Sequence, residues 1–211
     1  MNNQNNIFHT KIYSYNNLLS LLIADGQFLL NWKGYDDQRV DEDGFVDEED
    51  IEPSQILEMD PACDVVSYKE NEFWLIGWYQ SEKISDLDEE ENKKELAEFM
   101  EKLVELLKEH EAISEEELGK TKAVPIKGGT LGLLCHGDSG ETFGLSQEKI
   151  NELAGKKGVH ELEGKNAGEI RGMQMIGGLE GKSYKLCSYL NEEEISNELG
   201  VIVTISLLKI E

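Results

Sequence analysis

The chain is poor in cysteine, proline and positive charge, and it has no long apolar run. Its three cysteines, Cys63, Cys135 and Cys187, stand far apart with no C-x-x-C pair. That odd, widely spaced set suggests neither a disulfide framework nor a zinc knuckle and suits a reducing compartment. The apolar run Leu18 to Ala24 is broken by Ser20 and followed by Asp25 and Gly26, far short of the roughly 20 residues of a membrane span. Met1 to Asn6 are polar and carry no basic residue, so no export signal or transit peptide is expected there. A cytoplasmic location without membrane contact is the expectation.

Lysine and arginine together number 20 against 44 aspartates and glutamates, a net charge of −24. So large an imbalance costs compactness by self-repulsion, disfavours direct contact with nucleic acid, and speeds encounter with basic proteins. The acidity is concentrated in two stretches. Residues 36–60 hold twelve carboxylates against Arg39 alone, and residues 82–118 hold fifteen against five lysines, so the rest of the chain nearly cancels. With 211 residues, 39% of them apolar, the chain is long enough to bury a core without staples.

Sixteen of the twenty glycines follow residue 118. The shift suggests an acidic N-terminal α+β region over 1–112 that ends in a long helix, then a Gly-rich, β-rich region over 123–211. In the first region, residues 7–13 read as a strand, 16–24 as a short helix stopped at Gly26, and 27–32 as a strand. Two β-rich runs, 64–68 and 73–79, flank the polar Lys69-Glu70-Asn71-Glu72 and read as a hairpin. Between 86 and 111, Leu96, Phe99, Met100, Leu103, Leu106 and Leu107 fall on one stripe at helical spacing. Ser114 with Glu117 reads as a capping box for one further turn.

In the second region strands are expected over 123–126, 130–135, 170–176, 183–190 and 200–210. Short helices are expected from a Ser146 cap to Ala154 and from Asn191 to Leu199, each stopped by glycine. The elements do not alternate in a βαβ rhythm. The fold class expected is therefore α+β, with mainly antiparallel sheet and one long amphipathic helix, in one unit or two subdomains.

Four short strings carry chemical suggestions. The run Arg39 to Asp50 aligns with a calcium-binding EF-hand loop if Gly44 takes the sharp turn, with Asp41, Asp43 and Asp47 offering oxygens. Arg39 would then occupy the first ligand position and Asp50 the last, where a bidentate Glu belongs. A solvated or partner-binding acidic loop is the better reading, and neither a metal nor a cofactor is expected. Gly177-Gly178-Leu179-Glu180-Gly181-Lys182-Ser183 has the end of a phosphate-binding loop, but Ile176 stands where its first glycine should and a strand follows.

The string Gly137-Asp138-Ser139-Gly140 resembles the nucleophile loop of chymotrypsin-like serine proteases, which would imply a base and an orienting carboxylate held by a double β-barrel. Neither His9 nor His110 stands in that family's context, and a polar turn is sufficient. Cys135 beside His136 cannot share a proton along a strand, because neighbours point to opposite faces. The four histidines make no metal-ligand pattern.

Trp32, Tyr35, Trp74, Trp78 and Tyr79 gather aromatics around the first acidic stretch. Core is the ordinary role for such residues. The sharper alternative is a set of aromatic anchors rimmed by carboxylates. On that alternative the candidate partner-binding residues are Trp32, Tyr35, Asp36, Asp37, Asp41, Asp43, Asp47, Glu48, Glu49 and Asp50. The functional expectation is an acidic inhibitor of the immunity, antitoxin or anti-defence type, not an enzyme, that blocks a basic, nuclease-like protein. A small enzyme or ligand-binding protein with its site in the Gly-rich region is the alternative.

Overall fold

The computed structural model describes residues 8–13, 21–34, 55–57, 62–78, 89–110, 113–117, 123–166 and 169–211. It is a mixed α+β structure, mostly sheet, in which every strand pairing is antiparallel. In chain order the elements begin with β1 (Phe8–Tyr13), β2 (Leu21–Asp25), the single turn α1 (Gly26–Leu29), β3 (Gln55–Leu57), β4 (Ala62–Lys69) and β5 (Glu72–Trp78). They continue with α2 (Glu89–Glu109), β6 (Ile113–Glu117), β7 (Val124–Pro125), β8 (Leu131–Cys135) and α3 (Gln147–Ala154). The last are β9 (Gly158–Asn166), β10 (Glu169–Gly177), β11 (Ser183–Tyr189), α4 (Glu192–Leu199) and β12 (Val203–Ile210).

One sheet has the order β1-β4-β5-β12-β11-β6, with β7 also on β11, and the other β3-β2-β8-β10-β9. Each sheet takes strands from both sides of residues 113–122, so the glycine shift there does not separate one sheet from the other. The sheets pack face to face through Ile23, Val65, Phe73, Leu75, Leu131, Leu133, Ile176, Leu186 and Leu208. Tyr184 crosses this seam, and its hydroxyl donates to the Ile23 carbonyl (3.3 Å). Burial, with the Asp25 carboxylate adding to it, raises the Tyr184 phenol far above its usual value and keeps it protonated as a donor.

Helices cover the outer faces. On the first sheet, α2 lays Met100, Leu103, Val104, Leu106 and Leu107, and α4 lays Ile195, against Trp74, Ile76, Ile205 and Leu207. Trp74 is fully buried, stacked on Tyr68 (centroids 6.1 Å) and met edge-on by Tyr189 (5.4 Å). On the second sheet, Leu29 from α1 and Leu153 from α3 join Leu22, Leu134, Met173 and Met175. The result is four layers, helix–sheet–sheet–helix. Each sheet is buried on both faces, which explains why β2 and β8 are buried at every residue.

Three local readings differ from the structure. Residues 21–24, expected in a helix, lie in β2 in the interior of a sheet; an apolar run this short carries no period that separates buried strand from helix. Gln27 to Leu29, expected in a strand, lie in α1, because the Asp25 side chain caps the turn by accepting the Gln27 N–H (2.8 Å). Ser114 to Glu117, read as a capped turn, belong to β6 on the sheet edge, where the pairing with β11 shifts register between Cys187 and Ser188.

Candidate functional site

Of the ten candidate partner-binding residues, Trp32 alone lies among the described ones. It is 3% exposed, tilted against Phe28 (5.6 Å) and His136 (6.1 Å), and it contributes area to the core beside the second sheet. Tyr35, Asp36, Asp37, Asp41, Asp43, Asp47, Glu48, Glu49 and Asp50, including the calcium alternative, fall outside the described residues. No group of His, Cys, Asp and Glu among the described residues is arranged to hold a metal ion. No helix among them is long and apolar enough to cross a membrane.

The second acidic stretch is described over α2. With five apolar side chains of α2 turned to the sheet, Glu95, Glu98, Glu101, Glu105 and Glu109 are left exposed, beside Lys94, Lys102 and Lys108. Helix α4 packs alongside and adds exposed Glu193, Glu194 and Glu198. The two helices are tied at one end. Lys102 Nζ donates to the Glu198 carbonyl (2.5 Å), and the His110 ring lies 3.4 Å from Glu194 Oε2 and 3.2 Å from Glu198 Oε1. The His110 carbonyl accepts from Tyr189 Oη (2.8 Å) and Asn191 Nδ2 (2.9 Å). Burial, then the neighbouring Glu194, pushes the Tyr189 phenol up to about 12, so it stays a donor here. The outcome is a helical face, predominantly negative, on one side of the molecule.

The protease-like string has a structural task. Ser139 Oγ accepts the Thr142 N–H (3.3 Å) and lies 3.2 Å from Thr142 Oγ1, capping a 3₁₀ turn over Gly140–Phe143. Asp138, 2% exposed, faces Arg171 Nε at 3.8 Å. Gly140 is required by close approach: a Cβ there would stand 2.2 Å from the Leu29 carbonyl oxygen. Cys135 and Cys187 are both buried, in different sheets.

The Gly177–Ser183 string runs from β10 directly into β11, so it lacks the helix whose N-terminus would face a phosphate. It instead borders a cleft of about 430 Å³ between the β4–β5 turn, the start of β9 and the end of β10. Phe73, Val159, Ile176 and Leu179 give the cleft apolar walls, while Ser67, Lys69, Glu70, Asn71, Lys157 and Lys182 give it polar ones. Asn71 holds φ +63°, which closes the β4–β5 turn and places Glu70 at its tip. The Glu70 carboxylate pairs with Lys157 Nζ across the mouth. Its pKa is lowered by that hydrogen bond, then by the Lys157 charge, with a smaller contribution from Lys182.

Glycine sets the far wall. A Cβ on Gly177 would stand 2.1 Å from the Leu153 carbonyl oxygen and 2.4 Å from that of Lys156. Gly178 has φ +73°, and its Cβ would meet Lys157 Cα at 2.9 Å. The turn that carries Lys157 is thereby seated directly on the end of β10. These residues are far apart in sequence, and only the glycine-rich string and its lysine gave a local signal of the cleft.

No family model, curated protein or solved structure matches this chain.

Proposed function

We propose that this protein is an acidic inhibitor of the immunity, antitoxin or anti-defence type that acts in the cytoplasm by docking on a basic, nuclease-like protein. The observation that carries the reading is the carboxylate-dominated face formed by α2 and α4, in a chain of net charge −24. In this reading α2 is the amphipathic helix of the fold, with one face held by the sheet and the other free to meet a partner. A cleft that grips nucleic-acid phosphates is lined by lysine and arginine. Carboxylates held in rows on a folded scaffold occupy such a cleft and steer rapid association. The stretch containing Asp36, Asp37, Asp41, Asp43, Asp47, Glu48, Glu49 and Asp50 extends the same chemistry, with Trp32 and Tyr35 at its start.

Affinity capture from the native cell at low salt tests this, followed by assay of the captured protein's nuclease activity with and without this chain. The expected result is a basic partner, inhibited when bound and released as salt rises. Two charge-reversal variants then locate the contact: Glu98→Lys with Glu101→Lys and Glu105→Lys on α2, and Asp41→Lys with Asp43→Lys, Asp47→Lys and Glu48→Lys on the first stretch. Loss of binding in either set supports the proposal. Recovery of no partner at low salt, or binding indifferent to both sets, overturns it.

A further inference from the structure

We propose that the cleft between the β4–β5 turn and the β9–β10 end of the second sheet binds a small amphiphile, with one anionic head between Lys157 and Lys182 and an apolar body against Phe73, Val159, Ile176 and Leu179. The site is separate from the acidic helical face, and it stands or falls independently of the partner reading.

Three observations carry it. The cleft, at about 430 Å³, has the size of small-molecule sites, which run from about 300 to 1,000 Å³ and combine apolar walls with a few placed polar groups. Its charge opposes that of the molecule. In a chain of net charge −24, the cleft is lined by Lys69, Lys157 and Lys182 against the single carboxylate of Glu70, a local excess of positive charge beside apolar walls. The anion position is already marked from within, because the Glu70 carboxylate pairs with Lys157 and is stabilised in its charged form by Lys182 as well. Glu70 sits at a turn tip and is exposed, so an incoming carboxylate or phosphate can take its place on Lys157 while the body fills the cleft.

The head could be a carboxylate or a phosphate, and competition separates the two. The purified chain is titrated with the fluorescent sulfonate 1-anilinonaphthalene-8-sulfonate at low salt, and the bound dye is displaced with octanoate, octyl phosphate or octanol. The expected result is one saturable dye site per chain, displaced by octanoate or octyl phosphate at least tenfold more effectively than by octanol. The stronger of the two anions assigns the head. The double variant Lys157→Gln with Lys182→Gln should weaken dye and competitor at least tenfold. Glu70→Gln should tighten them several-fold, because it removes the resident competitor. These side chains are exposed, and unchanged thermal unfolding of each variant verifies that the fold is retained. Glu70→Gln adds an independent reading, since a gain in affinity does not come from damage. Absence of a saturable site, equal displacement by octanol, or affinity unchanged in both the lysine and the Glu70 variants overturns the proposal.

Discussion

Asp25 joins two segments a hundred residues apart, and its removal should be among the costliest single changes in the molecule. Its carboxylate is 3% exposed and accepts three backbone N–H groups: Gln27 (2.8 Å) on Oδ1, and Lys127 (2.7 Å) and Gly128 (2.9 Å) on Oδ2. A hydrogen bond to a charged group contributes about 1.5–3 kcal/mol net. Asp25→Ala leaves all three donors without the acceptor. Because Lys127 is exposed and Gln27 and Gly128 are half-buried, water replaces part of the loss, which places the cost at about 3–5 kcal/mol. Loss of one negative charge from so acidic a chain works the other way, but salt screens it. Asp25→Asn retains one oxygen and turns an NH₂ toward at least one donor, so it should cost about 1–2 kcal/mol. Urea unfolding at constant ionic strength reads both values, and at about 2–4 °C per kcal/mol the Ala variant should melt at least 6 °C lower. A loss below about 1 kcal/mol for Ala, or an Asn variant no better than Ala, would refute the view that this carboxylate holds the two loops together.

Further outcomes follow from burial and backbone geometry. Leu103, fully buried between α2 and the first sheet, should cost about 2–5 kcal/mol when changed to Ala, measured by the same unfolding experiment. Gly177→Ala should destabilise by several-fold more than Gly144→Ala. The first meets two carbonyl oxygens, whereas the second, at φ +64° with open space, carries only about 1 kcal/mol of left-handed strain. At Glu192, burial raises the carboxyl above its ordinary value, opposed by the hydrogen bond from the Ile205 N–H (3.1 Å). The folded state therefore holds this proton more tightly than the unfolded chain, and the Glu192 contribution to stability falls as pH rises upward from the ordinary carboxylate value. Glu192→Gln should stabilise the protein at neutral pH by less than about 1 kcal/mol, since the group is half exposed, and should give no gain under acidic conditions where Glu192 is protonated. Thermal melts at the two pH values decide it.

Elements set by local chemistry were legible in the sequence. The helix from a Ser146 cap to Ala154 is present, with Ser146 Oγ accepting the Lys149 N–H (3.2 Å). The helix stopped at Gly200 ends there with φ +72°. The polar Lys69–Glu72 turn joins β4 and β5, as its composition implied. Illegible elements were those whose state depends on distant partners. Strand β9 alternates exposed Glu161, Glu163 and Lys165 with half-buried His160, Leu162 and Gly164; with so little apolar signal it escaped notice, although charge on an edge strand is a common guard against unwanted pairing. Strand β2 was misread because both its faces are covered. The cleft combines three separated turns, so no window of the sequence contains it.

The place of β12 has a kinetic consequence. It lies between β5 and β11, yet it follows every other described strand along the chain. Until β12 is available, β5 and β11 each show an open hydrogen-bonding edge, and the inner and outer apolar faces of that sheet lack Ile205, Leu207 and Leu208. A chain synthesised from its N-terminal side must therefore wait with an unfinished sheet, and such long-range pairing is slow. Open edges in that interval invite association with other unfinished chains. Mutual repulsion among molecules carrying so many carboxylates opposes that encounter, so the same net charge of −24 that costs the folded state some compactness works against association of unfinished chains.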